Sequence, residues 1–489
     1  MDRAAAEKEA VRLWRNLPVQ DRLTRRQASA FAAMIAPTLD FDAPERRPKE
    51  IEAWLVRDLA RSDSFVVLQT SEDEEGHLRL VAPPWPQREG ASTIALAIAL
   101  LVMIARRPDL LSSAMFWAQD GAVYFANAYN EGWLAPLFRP YAGTLQLVPR
   151  LVADVATWLP LRFAPLFMVW VGLLIRAAIP AFIFSSRFNW IDWRAKVAIV
   201  AYFLLMPNLA EVHANITNTQ WYLGLYLLAV ILADPPRNRA WIVHDWAVLI
   251  ATGTTGPMVI FALPALAFRV MAQRTLPTAR LPFAGVAVAL AVLQIALLVA
   301  TALASTPGAI DAGLFSIPVM LESRVVLGFI TPIRWASALS TLVIIVPAMF
   351  LGAAVTIGVL VRGDWRGRAL ALVPVLLIAA AIYSPIFTFG QTAEPLVGVT
   401  GDGYFVVAGV VWTATLILFS ATYLPRLSNE ALAALVLVAG LLILFDFPLP
   451  PVPGPAFAPE VARVAATAPG DIITVPISPP GWGMDLKVK

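Results

Sequence analysis

The sequence predicts an all-α polytopic membrane protein with about eleven transmembrane helices, a small α+β domain at the N-terminal end and a short C-terminal tail. Three observations lead there. Of 489 residues, 58% are hydrophobic and only 15% charged, where soluble chains carry about 25% charged residues. The mean hydropathy is +0.69. From residue 91 onward, apolar runs recur that approach or exceed the roughly 17–25 residues needed to cross a hydrocarbon core. Such spans must be helices, because lipid offers the backbone no hydrogen-bond partner.

Residues 1–90 are dense in both charge signs. Within them, 24-TRRQASAFAAMIAPTLD-40 and 49-KEIEAWLVRDLARS-62 read as amphipathic helices. The runs 64-SFVVLQT-70 and 77-HLRLVAP-83, split by acidic SEDEEG, read as a hairpin. This gives a small α+β cytoplasmic domain with 82-APPWPQREG-90 as linker, the alternative being a loosely ordered extension. The stretch lacks an apolar h-region, so no cleavable leader is expected.

Spans fall near 91–106, 162–184, 195–210, 221–233, a short pair within 241–268, then 281–303, 339–361, 367–385, 404–423 and 430–446. The pair is split by TGTTGP and reads as two thin helices or a re-entrant loop. The short loops 185–196, 234–239, 269–280, 361–368 and 425–427 are basic and are every second connection, which makes them cytoplasmic. The N-terminus is then cytoplasmic and the tail 447–489 extracytoplasmic. Arg106 and Arg107 conflict with this rule, since they end the first span on its outer side. The arginine- and alanine-rich character suggests a bacterial cytoplasmic membrane.

Composition also excludes chemistry. The absence of cysteine removes disulfides, thiolate metal sites and thiol nucleophiles. Three histidines are too few for a histidine-rich metal centre, and a net charge of +3 is no footprint for nucleic acid.

The long first outer loop, 107–161, holds the densest polar signal. After Asp120 in 116-FWAQDGAVYF-125, the residues Ala122, Phe125, Ala126, Tyr129 and Trp133 share one helical face, suited to the membrane interface. Tyr124, Asn127 and Glu131 take the other face, and Gly132 is a stop. Asp120 reads either as an N-cap or as a general base whose pKa rises by partial desolvation, with Glu131 as a weaker second candidate. Arg139 and Arg150 in 136-PLFRPYAGTLQLVPR-150 are outer cations suited to a lipid phosphate, or to ordinary headgroups or Asp154. Tyr141 belongs to a set of aromatics that form an interfacial belt or a sugar-stacking platform.

With these residues in view, FWAQDGAVYFANAYNEG and RPYAGTLQLVPR resemble the first outer loop of bacterial members of the GT-C class of membrane glycosyltransferases. The layout is similar to protein mannosyltransferases and lipid A aminoarabinose transferases. The resemblance covers residues 91–489 in architecture, but in motif only about 116–150 and 211–222. It implies a polyprenyl-phosphate sugar donor and an extracytoplasmic glycan, lipid or protein hydroxyl as acceptor. It further implies Asp120 as catalytic base and Arg139 or Arg150 as phosphate ligands. The class often shows two nearby acids in this loop, whereas here Ala118-Gln119-Asp120 supplies one. That departure tells against a divalent metal at the loop, and no cofactor is assigned.

Other polar clusters are less specific. The stretch 211-EVHANITNTQWYL-223 gathers Glu211, His213 and Asn218, which form a polar helix–helix turn, a wall of a sugar site, or a partial metal site. Asp402 in GDGY is a turn residue or faces the same cavity. Arg176, inside the second span, is expected to snorkel toward the cytoplasm. The rival function classes are a transporter or lipid flippase, for which TGTTGP and Arg176 speak, and a polymerase of lipid-linked glycans.

Overall fold

The computed structural model describes residues 69–72, 78–81, 90–236, 238–272, 281–304, 324–325, 328–329, 331–332, 342–383, 403–423, 440 and 446–489. These residues are mostly helical. Near the N-terminal end, β1 (Gln69–Glu72) pairs antiparallel with β2 (Leu78–Val81), with Gln69 opposite Val81. The hairpin expected there forms, and the two helices expected before it lie outside the described residues.

The bundle begins with α1 (Ala91–Arg106), whose buried face is a small-residue stripe of Ala91, Ala95 and Ala99. Its large residues Ile94, Ile98 and Leu101 point outward. Small residues inside and large aliphatics outside suit close helix contact in lipid. A short α2 (Asp109–Ser112) follows. Residues Asp120–Phe125 form a π-helical turn that runs into α3 (Ala126–Glu131), and α4 (Leu134–Leu137) and α5 (Leu147–Ala156) complete this connection. Next come α6 (Ala164–Ile183), α7 (Trp193–Leu205), α8 (Thr219–Leu232), α9 (Arg239–Thr255), α10 (Met258–Ala272) and α11 (Leu281–Ala304). The last long helices are α12 (Leu342–Arg362), α13 (Trp365–Tyr383) and α14 (Gly403–Tyr423).

α8 sits at the centre, packed by α6, α9, α10 and α14, and is buried nearly all round. α11 and α12 lie at the periphery with Val292, Leu303, Phe350 and Ile357 exposed. Among the described residues, two helices are both long and apolar enough to cross a membrane, Leu161–Ile183 and Pro282–Ala304. Other apolar helices, such as Ala91–Arg106 and Thr219–Leu232, are shorter.

Two expected boundaries move. The span expected over 195–210 stops at Leu205, because Pro207 follows and Asn208 turns the chain at φ 61°. The 241–268 segment is two helices joined at Gly256-Pro257. Most of the span expected at 430–446 lies outside the described residues.

Polar networks collect at opposite ends of the bundle. At one end Arg187 holds Asp245 through both guanidinium nitrogens at 3.2 and 2.9 Å, and Arg366 pairs with Asp234 at 2.7 Å. His244 bridges Asp245 and the Tyr226 hydroxyl there. At the other end Arg106 is fully buried. It donates to the carbonyls of Leu204 and Met206 at the C-terminus of α7, and to those of Asp446 and Phe447. Arg107 donates to Ala210 and Pro450 carbonyls. Both arginines thus satisfy backbone carbonyls inside the protein and tie down the start of the tail.

The tail folds as α15 (Phe457–Ala466) followed by β3 (Ile472–Ile477) and β4 (Trp482–Lys487), an antiparallel hairpin with Ile477 opposite Trp482. Its inward residues Val475, Ile477, Met484 and Leu486 share one apolar cluster with Phe116, Tyr124 and Phe125. Full burial of such side chains is worth about 1.5–3 kcal/mol each. A chain cut before residue 471 is therefore expected to melt well below the full protein in detergent. It should also become protease-sensitive around Phe116; unchanged melting would show that the hairpin is not part of the folded unit.

Candidate functional site

The segment 116–125 is gripped from two sides. From the tail, Ser478 N–H donates to the Phe116 carbonyl at 3.0 Å, and the Ser478 carbonyl accepts from Ala118 N–H. Gly121 lies so close beneath Ile477 that an added Cβ would meet Ile477 Cδ1 and Phe116 Cβ at 2.8 Å. From the bundle, the loop 206–218 presses up beside Gly172 of α6, where a Cβ would approach the Asn215 carbonyl at 3.3 Å. Between these two walls the backbone takes the π turn, a form that concentrates at functional positions.

Asp120 opens that turn and is buried. Its carboxylate does not cap its own helix, whose N-cap position is Gln119; the N-cap expectation is corrected. Instead Oδ1 accepts from Thr217 N–H at 2.8 Å and from the Thr217 hydroxyl, and Oδ2 accepts from Ile216 N–H at 3.0 Å. A carboxylate oxygen has two acceptor positions, so Oδ2 keeps one unused among the described residues. A narrow cavity beside Asp120 is lined by Arg107, Trp117, Met168, His213, Asn215 and Val452. Burial raises the pKa of Asp120 from 3.8 to about 6, against the opposing pull of the Thr217 and Ile216 hydrogen bonds.

The helix facing differs from the expected amphipathic pattern. Tyr124, expected on the polar side, is buried, while Trp133 is exposed. Tyr124 is covered by Tyr141 and Arg150, whereas the tail reaches Gly121, Tyr129 and Asn130. Gly132 ends α3 as expected, at φ 85°.

Arg139 and Arg150 diverge. Arg139 is exposed and forms a two-nitrogen pair with Glu131 at 2.9 and 2.5 Å, so both partners are committed to each other. Arg150 is only 2% exposed, and its Nε and Nη1 have no hydrogen-bond partner among the described residues. Its guanidinium faces the Tyr124 ring at 5.6 Å, and Tyr141 meets Tyr124 edge-on at 6.1 Å. Asp154 makes no hydrogen bond to it, and the Asp154 Oδ2 is likewise unpartnered. Burial is the main cause that raises the Tyr124 pKa, with the Asp120 charge next.

His213 and Asn218 are held by hydrogen bonds within the protein. His213 accepts from Arg176 Nη1 at 2.9 Å through Nδ1 and reaches the Met103 carbonyl at 2.9 Å through Nε2. A carbonyl accepts only, so Nε2 carries the proton and Nδ1 receives the Arg176 proton. Burial first, then Arg176 and Arg106, hold His213 well below its usual pKa. With both ring nitrogens occupied, the partial metal site through Glu211 and His213 is not formed. Among the described residues no group of three or more His, Cys, Asp or Glu could hold a metal. Arg176 does not snorkel. Helical side chains lean toward the N-terminus, which in α6 is the end carrying the 206–218 loop, and the guanidinium is buried against His213 and the Phe203 carbonyl. Asn218 receives the Trp221 indole N–H at 3.0 Å and donates to the Glu211 carbonyl. Asp402 lies outside the described residues.

Sequence reasoning missed Thr217 and Ile216 as the partners of Asp120. Their only signal was the polar run after Glu211, read as a turn.

A pH dependence of stability follows from Asp120. Its folded pKa lies above the unfolded value, so the folded protein retains a proton that the unfolded chain releases between about pH 4 and 6. Stability is greatest below that window and falls as pH rises through it, by on the order of 3 kcal/mol. The melting temperature of the wild type is expected to fall from pH 4 to pH 7 by more than that of Asp120→Asn. Parallel curves would contradict the assignment.

Compared with family models, curated proteins and solved structures, the chain matches none.

Proposed function

We propose that the chain is an integral membrane glycosyltransferase that takes a sugar from a polyprenyl-phosphate donor and delivers it to an extracytoplasmic hydroxyl. The observation that carries this reading is one loop holding both a buried cation with unpartnered nitrogens, Arg150, and a buried carboxylate with a raised pKa, Asp120. The membrane setting is supported by exposed aliphatics on α1, α11 and α12 and by polar networks confined to the two ends of the bundle. In this reading about eleven spans cross the cytoplasmic membrane, and the loop, the 206–218 turn and the tail face outward.

Chemically, Asp120 takes the proton of the acceptor hydroxyl, whose oxygen attacks the anomeric carbon. The bond from that carbon to the phosphate oxygen breaks, and its electron pair leaves with polyprenyl phosphate. Arg150 stabilises the charge gathering on that phosphate. One displacement with one base inverts the anomeric centre, and no covalent enzyme intermediate is needed. None of these steps calls on a metal.

A second reading, transport or flipping of a lipid, draws on the buried Arg176–His213 pair and on the Tyr226–His244–Asp245 chain at the opposite end. Purified protein in nanodiscs with radiolabelled polyprenyl-phosphate sugars and short glycan acceptors separates the two. The transferase releases polyprenyl phosphate, whereas a transporter moves its substrate across proteoliposomes without cleaving it. A polymerase of lipid-linked glycans would instead lengthen the lipid-linked chain.

A further inference from the structure

Beside Arg150 the outer loop dips between helices, turning at Ala142 (φ 48°) and Gln146 (φ 57°). Gln146 then begins α5 one turn ahead of Arg150, whose N–H donates to the Gln146 carbonyl at 3.2 Å. The Gln146 side chain is buried. Its Nε2 donates to Thr144 Oγ1 at 2.7 Å and to Gln220 Oε1 at 3.3 Å, while the Thr144 hydroxyl donates onward to the Tyr141 carbonyl. On α11 the fully buried Gln294 donates through Nε2 to the Gly253 carbonyl at 2.8 Å. A carbonyl accepts only, which fixes the Gln294 amide, while the Gln146 amide turns its Nε2 to Thr144 and Gln220. Each therefore presents a buried Oε1 with no partner among the described residues. Gln294 meets the last turn of α9 at Gly253, and Gln220, the partner of Gln146, abuts Gly256 just past that turn.

Two buried acceptors call for donors, and a cationic ligand is disfavoured because the unpaired Arg150 lies one turn away. A ligand that satisfies all three groups is anionic at one end and carries neutral hydroxyls at the other. We infer that Gln146 and Gln294 form the subsite for hydroxyls of the donor's sugar ring, the phosphate of that same donor lying at Arg150. This rests on the reading of Arg150 as a phosphate site, and it makes the two glutamines determinants of which sugar is accepted.

The test is equilibrium binding to protein in nanodiscs, comparing bare polyprenyl phosphate with polyprenyl-phosphate mannose, glucose and arabinose. Wild type is expected to bind at least one glycosylated lipid about tenfold more tightly than the bare lipid. Gln294→Met and Gln146→Met are each expected to erase that preference while leaving bare-lipid affinity unchanged. Two separate variants, checked by melting, guard against one that fails to fold. A preference that survives in both folded variants, or is lacking in wild type, overturns the subsite and leaves the Arg150 reading standing; in that case the amides hold only water. Failure of wild type to bind even bare polyprenyl phosphate overturns the Arg150 reading and the subsite with it.

Discussion

Arg150→Met is expected to make the protein more stable and to abolish binding of polyprenyl phosphate. A buried guanidinium with two nitrogens unpartnered has lost its hydration without recovering hydrogen bonds, and such desolvation costs several kcal/mol per ion. Methionine fills a similar volume beside Tyr124 and carries no charge to desolvate. The melting temperature should therefore rise by several degrees, the scale of a gain of 1 kcal/mol or more. Donor affinity should fall by a factor of about 100 or more, because a charge-assisted fork to phosphate is lost. Opposite signs on stability and binding mark a residue kept for function. A melting temperature that drops, with binding unchanged, would make Arg150 an ordinary structural residue. Arg139→Met, by contrast, breaks only an exposed pair with Glu131 and should change stability by less than about 1 kcal/mol.

The second large effect belongs to Asp120. General base catalysis by a positioned group contributes about 10²–10⁴ in rate, so Asp120→Asn should reduce donor turnover by that range. The substitution keeps the side-chain shape and lets Oδ1 continue to receive the Thr217 N–H and hydroxyl. Its new amide N–H₂, however, faces the Ile216 N–H, a donor against a donor, at a cost of about 1–3 kcal/mol. That structural loss is offset by removal of a buried charge, so the folded protein should persist. Binding of the bare donor lipid should be untouched, because Arg150 is separate from this contact. A variant with normal turnover would remove Asp120 from the chemistry and leave it as a clamp between the first loop and the 206–218 turn.

Much of the bundle was legible in the sequence because apolar length is a local property. Boundaries of α6, α8, α11 and α14 fall within a few residues of the apolar runs. What misled was partner choice. Asp120 was seen as a polar residue at a helix start, and local spacing suggested its own helix as partner; the true partners lie 96 and 97 residues on. For Arg106 and Arg107, a charge count cannot tell a solvated arginine from one buried on carbonyls. Arg176 was placed by its depth along α6, but its reach is set by the lean of helical side chains. Tyr124 was put on the wrong face because a π turn inserts an offset that a period of 3.6 does not contain. The tail packs on the segment 116–125, yet no pattern in the sequence shows that Ile477 seats on Gly121. Arg139 and Arg150 were equivalent by composition; only the Glu131 pair and the burial of Arg150 separate them.

The most direct measurement is release of polyprenyl phosphate from radiolabelled polyprenyl-phosphate sugars by protein in nanodiscs, followed from pH 4.5 to 8 for wild type and Asp120→Asn. Deprotonated Asp120 is the active form, so wild-type turnover should rise through about pH 6 and then level, while the variant stays low and flat. Turnover in wild type that does not change across this range, or a variant that matches it, would contradict the account.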